Sequence, residues 1–329
     1  MPGLADRPKL ALEWRGENVR AREAPLGHES YWSAEAFARE EAALFRRCWL
    51  FAGPAADFGE EPRAVTGFGR GVAIAREPGG WRGVEDGRPI AVAACGDLVF
   101  YRLGDDPRSL LDYLHPYAGD LAEMSRRLGP PDHRDRVTVA ANWKTLVENT
   151  LDDLHPAFVH RETLFPSMEK EGEARSRLDR QGRHSLLENQ LDPRDLDFWT
   201  KLETRLPLAR YGEGTGYRHL FVFPNFYASS FYGAMVLLHR VDPLEPESAA
   251  LDWTLHLPLA EGRQSALHRA ILRDQTQKAR KVIDEDMAIC LAAQRGRHFA
   301  SLPALLGDAE TRLLDFQEAV GAAPDDTRP

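Results

Sequence analysis

Cysteine is scarce in this chain of 329 residues, which has only Cys48, Cys95 and Cys290. Three thiols cannot build a disulfide framework, and they suit a reducing compartment. Long apolar runs are missing as well: the best, 91–95 and 235–238, fall far short of the ~20 residues that cross a bilayer. The opening stretch MPGLADRPKLALEWRGENVR has no apolar signal core. The expectation is therefore a cytoplasmic protein with no membrane partner. Positive charge is not in excess either. Lys and Arg number 42 against 51 Asp and Glu, for a formal net charge of −9, and the basic residues are scattered among acidic ones. That argues against a general field for nucleic acid or anionic lipid. No internal repeat is present, and low complexity is confined to the tail AAPDDTRP.

What the chain does have is enough apolar residues, 43%, to bury one large core or two modest ones. Residues 1–30 are polar and aperiodic and read as an arm. Ser33 can cap a helix through AEAFAREEAALFRR, where Phe37, Ala38, Glu41, Leu44 and Phe45 recur at helical spacing. From Trp49 to about residue 104 the pattern is a small β unit, its best strands at 72–76, 90–94 and 98–103. Turns such as Pro78-Gly79-Gly80 and Glu85-Asp86-Gly87 separate them. Residues 108–129 read as one helix with a Gly129-Pro130-Pro131 stop. A helix from Trp143 to about Leu154 follows, then a charged loop at 169–183. Three long strands are expected at 216–226, 229–240 and 249–258, then a long helix at 261–293 and a shorter one at 308–320. The fold class is α+β, an antiparallel sheet with helices packed on one side. The boundaries expected are an arm at 1–30, a β region with flanking helices at 31–130, and a larger domain at 131–329.

The chemistry concentrates in NWKTLVENTLDDLHPAFVH, residues 142–160. Iron(II) sites that activate oxygen commonly use two histidines and one carboxylate on one face of the metal. His155 and His160 are five apart, which on an unbroken helix leaves them about 140° out of register. Pro156 offers a way round, because proline biases the residue before it away from helical angles. A helix that ends or kinks at His155 can bring His160 back to the same point. Glu148, Asp152 and His155 stand at i, i+4 and i+7 on one face. Leu146, Val147, Leu151 and Leu154 fill the rest, with Trp143 and Phe158 at the ends, so the helix should be buried and its carboxylates partnered.

At these residues the sequence resembles the catalytic α subunit of Rieske-type, aromatic-ring hydroxylating non-heme iron oxygenases. Asn142-Trp143-Lys144, Glu148-Asn149, Asp152, His155 and His160 match the family pattern in order and spacing. Phe223-Pro224-Asn225 resembles its core-strand motif, and Glu285-Asp286-Met287-Ala288-Ile289-Cys290 with Gln294-Arg295-Gly296 resembles the helix bearing its third iron ligand. ETRLLDFQ, at 310–317, resembles its final helix, and Tyr31, Glu41, Phe45 and Trp49 resemble the lead-in. The resemblance implies a helix-grip, START/Bet v 1-like catalytic domain at 131–329 that binds one mononuclear Fe(II) through His155, His160 and Asp286. Asp284 competes for the third place, but it lies about 200° round the helix. The resemblance also implies that Asp152 links the iron to a cluster on an adjacent subunit and that Asn149 lies near the iron. Glu148 and Trp143 are expected to support the ligands.

One part of the pattern is missing. A Rieske [2Fe-2S] cluster takes two cysteines and two histidines, which the family supplies as Cys-x-His and Cys-x-x-His. Neither pair follows Cys48, Cys95 or Cys290, and no histidine occurs between His28 and His115. The expectation is a degenerate Rieske-like region at 31–130 with no cluster in this chain. Electrons would then come from a Rieske-bearing homologous subunit or a reductase, within a trimer or hetero-oligomer. The expected activity is O2-dependent hydroxylation or demethylation of a small, cyclic, apolar organic substrate. Two alternatives stand beside it: an iron oxygenase whose substrate supplies the electrons in oxidative ring or C–C cleavage, and a non-catalytic structural subunit. Tyr227, Phe231, Tyr232 and Trp253 are read as sheet core, Cys290 as packing beside Asp286, and Arg210, Tyr211 and His219 as residues that could enter the site. The residues that contact substrate are not legible.

Overall fold

A computed structural model describes residues 21–67, 70–167, 177–212, 214–262 and 264–322. Most of the arm expected at 1–30, half of the charged loop at 169–183 and the tail lie outside these residues. The chain enters through β1 (Arg22–Glu23). Ser33 then starts a helix as expected, its hydroxyl accepting the Ala36 amide at the head of α1 (Ala34–Arg39). Wider π-helical turns continue it over Glu40–Phe45.

The small β unit is a six-stranded antiparallel sheet of β2 (Leu50–Pro54), β3 (Arg63–Gly67), β4 (Arg70–Glu77), β5 (Gly80–Glu85), β6 (Arg88–Cys95) and β7 (Leu98–Arg102). Its spatial order is β2-β7-β6-β5-β4-β3. The three strands read from the sequence are β4, β6 and β7. Of the strands the sequence reading did not bound, β3 and β5 carry Gly, Arg and Glu among few apolar residues and β2 is the short run LFAGP, so none shows a clear alternation. Between β5 and β6, Asp86 at φ 48° and Gly87 at φ 78° form a two-residue hairpin turn, the conformation for which Asp-Gly is favoured. The single helix expected at 108–129 is two, α2 (Leu110–Leu114) and α3 (Ala118–Ser125). Pro116, which has no amide hydrogen to donate, stands in the break.

The second sheet has seven antiparallel strands. In chain order its surroundings are β8 (His133–Val139), α4 (Trp143–Leu151), α5 (Pro156–Val159), β9 (Arg177–Gln181), β10 (His184–Asn189), α6 (Pro193–Glu203), β11 (Tyr217–Val222), β12 (Phe226–Phe231), β13 (Met235–Glu245), β14 (Ser248–His256) and α7 (Ala266–Arg297). The strand order is β8-β14-β13-β12-β11-β10-β9. Three strands were expected where four run between 217 and 256. Pro224 in Phe223-Pro224-Asn225 cannot extend a ladder, and Asn225 turns the chain by donating its side-chain amide to the Val241 carbonyl at 2.7 Å. The outer strand β9, with sequence RLDRQ, is too charged to read as a strand, which is how exposed sheet edges are kept from pairing further.

β15 (Leu305–Leu306) returns to pair with β1, and α8 (Thr311–Gly321) ends the described chain. α4 packs against β13 and β14 on one side and against α7 and α8 on others. One continuous apolar core joins the two large sheets. Phe226 of the second sheet meets Phe51 and Phe100 of the first at ring separations of 4.2 and 5.7 Å. Among the described residues no helix is long and apolar enough to cross a membrane.

Candidate metal centre

Asn142 caps α4, its side-chain oxygen accepting the Lys144 amide at 2.9 Å. The helix ends earlier than expected, at Leu151, because Asp152 takes extended angles (φ −78°, ψ 111°). His155 itself is helical (φ −57°, ψ −32°), contrary to the bias expected from the following proline. Pro156 instead occupies the first turn of α5, where its missing amide hydrogen costs nothing. The break at Asp152, together with the short α5, does what a kink at His155 was expected to do. His155 and His160 end with ring centroids 5.1 Å apart.

Asp286 on α7 completes the group, while Asp284 is exposed to solvent. One ligand atom from each of His155, His160 and Asp286 lies within 4.8 Å of the others. Asp286 Oδ1 is 2.9 Å from His160 Nε2 and 3.5 Å from His155 Nε2. The outer nitrogens show how the protons are arranged. His155 Nδ1 is 2.7 Å from the Asp152 carbonyl oxygen, and His160 Nδ1 is 2.9 Å from Glu285 Oε2. Both partners only accept, so each Nδ1 carries the hydrogen and each Nε2 presents a lone pair. Two imidazole lone pairs and a carboxylate oxygen thus converge, and Asp286 Oδ1 is buried without a hydrogen-bond donor. A divalent cation resolves that arrangement, and the donor set fits the two-histidine, one-carboxylate iron site.

The surrounding residues differ in part from expectation. The group orienting His155 is the Asp152 backbone carbonyl, and the Asp152 carboxylate stands 3.9 Å from Nδ1 with about a quarter of its side chain (27%) exposed. Glu285 and Thr163, which donates to Glu285 at 2.6 Å, hold His160. Neither was singled out from the sequence, although a carboxylate next to a ligand on the same helix was a usable signal. Glu148 and Trp143, expected to support the ligands, are engaged elsewhere. Glu148 is buried and accepts from Tyr31, from Arg297 at 2.8 Å and from Gln317 at 2.8 Å. Trp143 Nε1 donates to Glu40 at 2.7 Å. They fasten α4 to the N-terminal helix, to α7 and to α8. Phe158, read as bracketing the buried helix, is itself 60% exposed. Cys290 packs beneath α4, its thiol near the Thr145 carbonyl.

His155, His160 and Asp286 open into a cavity of about 340 Å³ between the sheet, α4, α6 and α7. Asn149, Asp152 and His219 line it, as do Tyr227 and Phe231, which were read as sheet core. Trp253 is core as read. Arg210 and Tyr211 are turned to other partners, Glu203 and Ser230.

The model of the ring hydroxylating alpha subunit (catalytic domain) matches residues 127–323. The chain belongs to that family. It is accordingly a mononuclear non-heme iron oxygenase of the Rieske type. Solved structures with the same fold include the quaternary ammonium Rieske monooxygenase CntA with an inhibitor (14% identity, 92% of this chain and 95% of that one, TM-score 0.74). A structure of a quaternary ammonium Rieske monooxygenase concerned with carnitine oxidation and inter-subunit electron transfer matches at 14% identity over 92% and 95% of the two chains, TM-score 0.71. Naphthalene 1,2-dioxygenase from Rhodococcus sp. matches at 15% identity over 92% and 95%, TM-score 0.70. No curated protein matches the sequence.

Proposed function

We propose that His155, His160 and Asp286 hold one Fe(II), and that the family member hydroxylates or demethylates a small organic substrate in the adjoining cavity. The observation that carries this reading is the convergence of His155 Nε2, His160 Nε2 and Asp286 Oδ1 with both Nδ1 protons directed outward. When bound there, Fe(II) would supply the oxygen-activating redox chemistry. The protein's own residues keep the histidine tautomers in place, through the Asp152 carbonyl and Glu285. The cavity walls hold the substrate beside the ligands and exclude bulk water.

Electrons come, on this reading, from a separate subunit that carries a Rieske cluster. Three features support it: the chain lacks Cys-x-His and Cys-x-x-His pairs, one solved relative is described by inter-subunit electron transfer, and the partly exposed Asp152 carboxylate stands 3.9 Å from His155 Nδ1. Exposed Phe158 (60%) on α5 and Ile289 (42%) on α7 provide apolar surface near the ligands. The test is anaerobic Fe(II) titration of the full chain, followed by oxygen uptake with substrate and a reduced Rieske protein. Wild type should take up one iron, and His155→Ala should lose it. Asp152→Asn should keep iron and lose donor-dependent oxygen uptake. Iron binding by His155→Ala at the wild-type level would refute the ligand set. Substrate-dependent oxygen uptake without any donor would refute the partner.

A further inference from the structure

One wall of the cavity is a stack of three rings on adjacent strands. His219 on β11 and Tyr227 on β12 lie 5.2 Å apart and 25° from parallel, and Tyr227 and His239 on β13 lie 4.4 Å apart and 11° from parallel. All three line the cavity that holds the metal-ligand group. A wall for a bare hydrocarbon has no use for imidazoles, because each buried ring brings two nitrogens that need partners.

The His219 ring is held in one state. Arg312 of α8 approaches its Nδ1 at 2.8 Å. A guanidinium only donates, so Nδ1 accepts and the ring proton sits on Nε2. Arg312 is itself fixed, donating to Ser185 Oγ at 3.1 Å and to Asp153 at 3.1 Å. Among the described residues no other side chain bonds the His219 ring. Burial, then the Arg312 charge, push its pKa far below the usual histidine value, so the ring stays neutral. The result is an N–H donor with a cation behind it, polarised toward an oxygen acceptor. His239 adds a second group. Its Nδ1 is buried with no partner, and burial lowers its pKa to about 3, so it too is a neutral ring.

We infer that the cavity takes a substrate bearing a carbonyl or carboxylate oxygen, received by the His219 Nε2–H, with His239 across Tyr227 in the same wall, rather than a bare hydrocarbon. This rests on reading the cavity as the substrate site, and it names the substrate class of that site.

The test uses the full chain and isothermal titration with three probes of similar shape: isopropenylnaphthalene, methyl naphthyl ketone and naphthoate. Wild type should bind at least one oxygen-bearing probe about tenfold more tightly than the hydrocarbon, the upper end of what one ordinary hydrogen bond contributes. Preference for the ketone identifies a carbonyl, and preference for the acid identifies a carboxylate. His219→Phe, which keeps a ring in the stack, should abolish the preference. His219→Gln, which keeps a donor, should retain part of it. No preference in wild type, including no measurable binding of any probe, overturns the inference, as does a preference that survives in His219→Phe. Iron content is measured on the same wild-type protein. Oxygen-probe preference without iron binding would sink the oxygenase reading and leave this inference standing.

Discussion

The least conspicuous residue beside the proposed iron ligands makes the sharpest prediction. Glu285 is not a ligand, yet its carboxylate accepts from His160 Nδ1 at 2.9 Å and from Thr163 at 2.6 Å. It therefore fixes the His160 tautomer and ring orientation and makes Nε2 a stronger base. Removal of such an outer partner typically weakens metal binding about 10- to 100-fold, or about 1.4 to 2.7 kcal/mol. Glu285 is 27% exposed, so solvent screens part of its charge. Glu285→Gln keeps an acceptor oxygen and loses the charge, and since charge-assisted hydrogen bonds are about twice as strong as neutral ones, the loss should be about tenfold or less. Glu285→Ala removes acceptor and charge together and should approach the upper end of the range. The assay is anaerobic Fe(II) titration against a competing chelator, with Co(II) as a spectroscopic substitute. Wild-type affinity in Glu285→Ala would refute the tautomer argument. Equal losses in the two variants would show that the charge alone matters.

Two further predictions concern stability. Lys144 is fully buried and pairs with Glu40 at 2.6 Å, so Lys144→Met leaves a buried carboxylate with Trp143 Nε1 as its remaining donor. Breaking a buried pair in this way costs about 3–5 kcal/mol, read by urea denaturation; the double variant with Glu40→Gln should recover much of it, and a loss below about 1 kcal/mol would contradict the assignment. Asp242 lies with Arg240, Asp252 and Arg136 where the two sheets meet, and burial pushes its carboxyl up to about 6 despite the Arg240 charge. A folded pKa above the unfolded value means the native state binds the proton more tightly, so this group's contribution to stability should fall as pH rises from about 4 to about 6. Asp242→Asn should flatten that part of the Tm profile, and an unchanged slope would show that another group titrates there.

Much of the site was legible because its parts are local or have a specific spacing. His155, His160 and their helix come from one short run, and helix geometry separated Asp286 from Asp284. Ser33 and Asn142 announce their helices by the chemistry of their own side chains. The elements misread were those whose identity depends on neighbours. Strands β9 and β10 are ordered by pairing rather than by an apolar pattern of their own, and the split of 216–240 into β11, β12 and most of β13 turns on Pro224 with the Asn225 bond to Val241 and on the left-handed turn at Tyr232 and Gly233.

The sequence by itself determined the class of chemistry, two histidines and a carboxylate on helices, and the lack of cysteine–histidine pairs for a cluster. Only the tertiary structure decided what surrounds those ligands. It replaced Glu148 and Trp143 with Glu285 and the Asp152 carbonyl, and it brought Arg312, 93 residues distant, onto His219. Ligand type is a property of each residue and can be read along a chain. The Asp152 carbonyl reaches His155 within one broken turn, but the second partners of His160 and His219 are properties of distance between segments, set only when α7 and α8 close over α4 and the sheet.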